Sequence, residues 1–208
     1  MTSIKRWADL CKRQNLRDRG RIGYFALYDG YSEPKRHYHN WSHIGRCLEE
    51  VDAIKGKLIE PDEVEFALWF HDAVYNPTAK DNEERSAEIA SFALDTFGAN
   101  SVLRERVSNL ILATKHQKFP EESDSDARYL VDIDFSIIGA PEPLFIETEK
   151  QIRKEYSMYN DEQFKQGRIK FLESAIARPQ TFCTDYYLTK CEAQARINLK
   201  NALKRWQI

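Results

Sequence analysis

From Ile4 to Trp206 the apolar residues of this chain recur at spacings of three and four, and no stretch sustains the strict apolar–polar alternation of a half-buried strand. A period near 3.6 lines up one face of an α-helix, so a core built from such segments is a packing of helices. Only 8 glycines and 7 prolines interrupt 208 residues, too few for the turns of a many-stranded β fold. The chain shows no internal repeat, low-complexity tract or long linker. We expect one all-α domain over residues 1–208, with a helical core over about 35–140 and further C-terminal helices over about 141–208.

Stop and start signals divide this pattern. A first helix is predicted over about residues 2–14, with Ile4, Trp7 and Leu10 or Cys11 facing inward, and a second over about 19–31. The segment SEPKRHYHN breaks the pattern at Pro34, and Asn40 or Ser42 can cap a third helix that runs to about Lys55. Pro61 opens the next, which is predicted to end near Tyr75 before Pro77. The loop NPTAKDN leads to a helix over about 83–97, stopped by Gly98. Further helices are predicted over about 101–117, 125–139, 143–158, 161–177 and 184–206, with FPEESDSD and ARPQTF as polar connections.

The formal net charge is -2, which lacks the basic footprint of a nucleic-acid-binding domain. None of Cys11, Cys47, Cys183 and Cys191 forms a CxxC pair, which argues against a zinc ribbon or a thioredoxin-like site, and Cys47 reads as a small core residue. The opening MTSIKRWADLCKRQN is too charged for a signal peptide, and no apolar run approaches the ~20 residues of a membrane span. A protein of the cytoplasm, independent of membranes and of nucleic-acid polymers, is the expectation. A homo-oligomer is left open.

Ionisable residues on apolar faces carry more information. In WFHDAVY, His71 falls on the stripe of Val64, Ala67, Leu68, Val74 and Tyr75, and Asp72 lies at its edge. In ARYLVDIDFSIIGA, Asp134 takes the centre of the stripe made by Ala127, Leu130, Val131, Ile137 and Ile138, whereas Asp132 shares a more polar face with Arg128 and Ser136. A buried ionised carboxylate costs several kcal/mol unless it is protonated, paired or bound to a cation. Neither Asp72 nor Asp134 has a basic residue on its own face within a turn. A lone core histidine is more often an ordinary hydrogen-bonded residue. Yet His43 opens the third helix one turn before Cys47 and looks inward from the helix end. Two histidines and two aspartates on three helices make a suitable ligand set for a first-row divalent metal.

These same residues carry a resemblance. HIGRCLEEV, WFHDAVY and DIDFSIIGA resemble the H…HD…D signature of the HD-domain superfamily of metal-dependent phosphohydrolases. KRHYHNWSHI, FHDAVYNP, DNEERSAEIA, ATKH, IRKEY and FKQGRIKFLESAIAR extend the similarity over about residues 24–200 to a bacterial family of predicted HD phosphohydrolases. The resemblance implies an all-α HD bundle with additional C-terminal helices, and His43, His71, Asp72 and Asp134 as metal ligands. One ion is expected. With His116 as an extra ligand and Asp72 as a bridge, a second is allowed.

The implied activity is hydrolysis of a phosphate ester or nucleotide by metal-activated water, with Asp72 and His116 in catalytic roles. Mixed nitrogen and oxygen ligands suit manganese, iron, cobalt, nickel or zinc better than magnesium. Cations and donors for substrate phosphate are sought in Arg36, His37, His39, Lys115, Lys118, Arg153 and Arg168, each of which also reads as an ordinary solvated charge. Arg168 shares a face with Phe164, Phe171, Leu172 and Ala175, so it pairs with an acid or reaches a ligand. Glu83 reads as a helix-start acid or as a hydrogen-bond acceptor for a ligand histidine. Trp41 and Tyr75 read as packing aromatics or as ring-binding neighbours of the ligands. The competing classes are a di-iron oxygenase of the same fold and a non-catalytic binding or interaction protein.

Overall fold

Several helices start beneath a side-chain cap. At the start of α1 (Ile4–Arg13), Ser3 accepts the Arg6 N–H at 3.1 Å. Asn40 accepts those of Ser42 and His43 at the head of α3 (Trp41–Ile54), and Asn100 accepts that of Leu103 at the head of α6 (Ser101–Ala113). Asn160 and Gln163 cap one another reciprocally at α9 (Asp161–Ala177). Pro61 begins α4 (Pro61–Phe70), where its missing N–H costs nothing. The remaining helices are α2 (Ile22–Tyr31), α5 (Asn82–Thr96), α7 (Ser125–Phe135), α8 (Glu142–Glu155) and α10 (Asp185–Gln207), with short 3-10 turns at Arg19–Arg21, Lys55–Lys57 and Ser136–Gly139.

This computed structural model describes residues 3–115 and 119–207. Among them the chain is all-α, with no strand. No helix among them is long and apolar enough to cross a membrane. The chain divides into two compact units, Met1–Ile133 and Asp134–Ile208.

In the first unit α4 is the central element. Every residue from Val64 to Phe70 is buried, and α4 lies against α1, α3, α5 and α6. The fully buried indole of Trp7 meets the rings of Phe66, Trp69, Phe70 and Phe97 edge-on, at 5.5–6.2 Å. Glu65 is the one charged side chain in that buried run, and Arg6 and Arg13 answer it at 2.7 and 3.2 Å. Such a pair holds α1 against α4 because removing either sign would leave a buried charge alone.

In the second unit the turn Ser136–Gly139 packs on α10. A Cβ on Gly139 would lie 2.6 Å from that of Cys191 and 2.8 Å from its carbonyl oxygen, so only glycine fits. The buried Asn198 side chain donates to the carbonyls of Ile138 and Ala140, both at 2.8 Å. On the other side of α10, Arg196 takes the carbonyls of Ile176 and Arg178 at the end of α9.

Several boundaries differ from the sequence expectation, among them the end of α8 at Glu155 where about residue 158 was expected. The helix expected to reach Tyr75 ends at Phe70, because the Ala73 N–H turns back to the Phe70 carbonyl at 2.8 Å. The helix expected to reach about residue 117 ends at Ala113, where the Thr114 hydroxyl donates to the Ile111 carbonyl. The segment expected to be helical to Gly139 tightens into a 3-10 turn after Phe135.

Candidate metal centre

Two helix ends build this site. Asn40 is the hinge of the first. Its carbonyl oxygen caps α3, and its amide donates to the carbonyls of His37 and Arg36 at 2.9 and 3.3 Å. One side chain therefore fixes both the start of α3 and the shape of the RHYHN turn before it. His43, in the first turn of α3, is 2 % exposed. The second end is the turn just beyond α4, which delivers His71 and Asp72.

The three side chains meet. His43 Nε2 lies 3.1 Å from His71 Nε2, and Asp72 Oδ2 lies 3.1 Å from His71 Nε2 and 3.5 Å from His43 Nε2. His71 Nδ1 sits 3.0 Å from the Leu68 carbonyl oxygen. That contact assigns the Nδ1 proton to the bond with Leu68, so Nε2 faces the other two groups, as a donor to Asp72 when protonated and as a lone pair toward a cation when not. Two imidazole lone pairs and a carboxylate oxygen cannot face one another at such distances without a proton or a cation between them.

The separations fit a cation. The circle through the three atoms has a radius of about 1.9 Å, so a point about 2.1 Å from each lies just off their plane, the usual length of a bond from zinc to His or Asp. The donor set of two nitrogens and one oxygen suits a first-row divalent ion.

Charge at the site is set by its neighbours. Burial pushes the Asp72 carboxyl up, but the imidazoles of His71, His39 and His43, with the hydrogen bond from His71, outweigh it and hold the group well below the usual carboxylate range. Asp72 is therefore an anion, with 17 % of its side chain exposed. His39 stacks flat on Tyr75, ring centroids 3.9 Å apart, and its ring lies 6.0 Å from that of His43. Tyr38 packs on His43 at 5.0 Å. Beneath the site the Tyr31 phenol donates to the Trp69 carbonyl, and burial pushes its pKa well up, so it stays a neutral donor.

Arg36, sought in the sequence as a cation for substrate phosphate, is only 7 % exposed. Its Nη1 donates to the carbonyl of Asp72 at 2.5 Å and to that of His39 at 3.3 Å, and its Nη2 donates to that of Ala73 at 2.8 Å. Its guanidinium lies over the Tyr31 ring at 5.2 Å. One planar fork thus ties the turn carrying Asp72 to the turn carrying His39, and ends α4 where it ends. Arg36→Ala is expected to destabilise the protein by about 3 kcal/mol in urea unfolding, since each carbonyl left buried without a donor costs about 1–3 kcal/mol. Arg36→Lys is expected to recover less than half of that loss, because an ammonium cannot bond two carbonyls in one plane. An alanine variant as stable as the parent would remove this role.

The other sequence candidates fall elsewhere. Lys115 pairs with Glu84 at the end of α6. In the second unit, Arg153 donates to the carbonyls of Tyr156 and Tyr159 and to Asp161, and Arg168 pairs with Glu149. Trp41 packs among Tyr24, Tyr28, Tyr31 and Trp69. Glu83 lies in the first turn of α5. His116 and Lys118 lie outside the described residues.

The burial of the two aspartates of α7 differs from that expected. Asp132, expected on the more polar face, is 0 % exposed, while Asp134, expected at the centre of the stripe, is half-buried. The reason is that α7 is buried over the whole run Leu130–Ile133, so its residues do not divide into one wet and one dry face. The flanking Val131 and Ile133 were the sequence signal for a buried Asp132.

A scan of the chain against protein-family models finds no match, and a search of curated proteins finds none.

Proposed function

We propose that the chain is a metal-dependent phosphohydrolase of the HD type, acting on a phosphate ester or a nucleotide. The observation that carries this reading is the triangle of His43 Nε2, His71 Nε2 and Asp72 Oδ2, with edges of 3.1–3.5 Å. Bound there, a divalent cation supplies Lewis acidity toward a phosphoryl oxygen and acidifies coordinated water. His71 is held as a ligand by its bond to Leu68, and Asp72 by the Arg36 fork beneath its main chain. The second carboxylate oxygen of Asp72 orients the attacking water. His39, braced by Tyr75, donates to the substrate phosphate. The sequence resemblance adds Asp134 as a fourth ligand and His116 as an acid–base group. Manganese, iron, cobalt, nickel or zinc is favoured over magnesium. Four cysteines with no disulfide suit a reducing compartment such as the cytoplasm.

The test is elemental analysis after dialysis against each metal, together with phosphate release from an aryl phosphate and a nucleotide panel. We expect about one ion per chain and metal-dependent hydrolysis. Two irons per chain with oxygen consumption would replace this reading with the oxygenase. Substoichiometric metal, with no hydrolysis, would overturn both.

A further inference from the structure

The second unit contains a cavity of about 340 Å³ between α8 and α9. Its walls are unusual for a gap between helices. They carry Tyr156, Tyr159, Phe164 and Phe171, with Ile152 as the aliphatic contribution, and Tyr156 meets Phe164 edge-on at 5.8 Å. Tyr156 and Tyr159 stand nearly parallel, 28° apart with centroids at 6.1 Å. Arg153 holds this wall in place, because it bonds the carbonyls of both tyrosines and lies 4.8 Å over the Phe164 ring.

A glycine lines the cavity. Gly167 lies in the interior of α9, a helix of 17 residues, where glycine is destabilising relative to alanine. It has no positive φ, and a Cβ built on it would meet nothing within 4 Å. Neither backbone conformation nor packing within the chain requires glycine there. Its position in the cavity wall lets a flat group lie directly on the helix backbone. One level along the helix, Arg168 uses Nε and Nη2 on Glu149 and lies 4.4 Å over Phe171, while its Nη1 has no hydrogen bond among the described residues. The site thus offers aromatic faces, a bare strip of helix and one cationic donor at its edge.

We propose that this cavity binds a planar aromatic ring carrying a hydrogen-bond acceptor, laid over Gly167 against the aromatic lining with its acceptor toward Arg168. The cavity falls at the small end of the range for small-molecule sites, about 300–1,000 Å³, which suits one fused ring system. Aromatic walls favour a flat π system over an aliphatic chain. The site does not depend on the metal centre. A nucleobase and an indole-type acid share this chemistry.

The full-length chain is titrated with adenosine, indole-3-acetate and cyclohexylacetate, using calorimetry and saturation-transfer NMR. At least one aromatic probe is expected to bind about tenfold or more tighter than the saturated acid, the order of one stacking contact, and the stronger of the two identifies the source. Gly167→Leu, which fills the cavity and improves helix propensity, is expected to weaken that binding about tenfold or more while melting no lower than the parent. Phe171→Leu, at an exposed position that keeps its bulk, is expected to weaken binding in the same direction and serves if the first variant does not fold. Equal affinity for cyclohexylacetate, or unchanged aromatic binding in a folded variant, overturns the proposal.

Discussion

His71→Ala is expected to abolish two effects that the proposed function assigns to the parent protein: a rise in melting temperature with manganese, nickel or zinc, and hydrolysis of phosphate esters. The argument begins with the position of the side chain. His71 Nε2 lies 3.1 Å from both other donors, so it is the vertex that the two short edges of the triangle share. Without it, only His43 and Asp72 remain, 3.5 Å apart, and two donors chelate a divalent ion weakly. Altering only an outer group that supports a metal ligand typically costs 10–100-fold in affinity, so loss of a ligand is expected to cost more than about 100-fold. A metal at about 100 times its dissociation constant stabilises the folded state by about 2.7 kcal/mol, and that increment would vanish. Thermal unfolding with and without metal measures it directly. The comparison separates binding from folding, because the metal-free variant needs only to unfold cooperatively. A variant that keeps the full metal-dependent shift would remove His71 from the site.

What the sequence made legible follows from what is local. The start signals at Asn40 and Pro61 act within one turn of chain, and α3 and α4 begin beside them. The inward aim of His43 is also local, because Asn40 fixes the first turn of α3 and burial of Cys47 and Ile44 fixes its face. The end of α4 was not legible, because nothing near Phe70 stops the helix. Its terminus depends on Arg36, 36 residues from Asp72 in sequence, reaching the carbonyls beyond it. The same remoteness hid the role of Arg36 itself, since a cation beside histidines in RHYHN reads as a phosphate donor until its partners are seen. The partners of Arg168 and Lys115 lie 19 and 31 residues away. Asp132 was obscured for a different reason. A helical stripe separates inside from outside only for a helix with one dry face, and α7 is dry all round at that level. Likewise Glu65 falls in the apolar run of α4, and its tolerance there depends on two arginines from α1.

Trp7→Ala is expected to cost about 3–5 kcal/mol of stability, measured as the change in unfolding free energy in urea. Trp7 is fully buried, and four aromatic rings from α4 and Phe97 close around it. Alanine would leave a void that these rings, themselves locked by packing, cannot collapse to fill. The indole also donates from Nε1 to Asp18 Oδ2 at 2.7 Å, and Asp18 in turn accepts the main-chain N–H groups of Gly23 and Tyr24 at the start of α2. Trp7→Phe keeps most of the ring volume and removes the donor. It is expected to cost about 1–3 kcal/mol, the range for breaking a hydrogen bond to a charged acceptor. The difference between the two variants therefore separates packing from hydrogen bonding at one position. Since a domain is typically stable by about 5–15 kcal/mol, the alanine change consumes a large share of the total. Its consequences reach the candidate site through Trp69, which touches Trp7 and Trp41 and gives its carbonyl to Tyr31 beneath Asp72. An alanine variant within about 1 kcal/mol of the parent would show that α1 is not a structural part of the first unit.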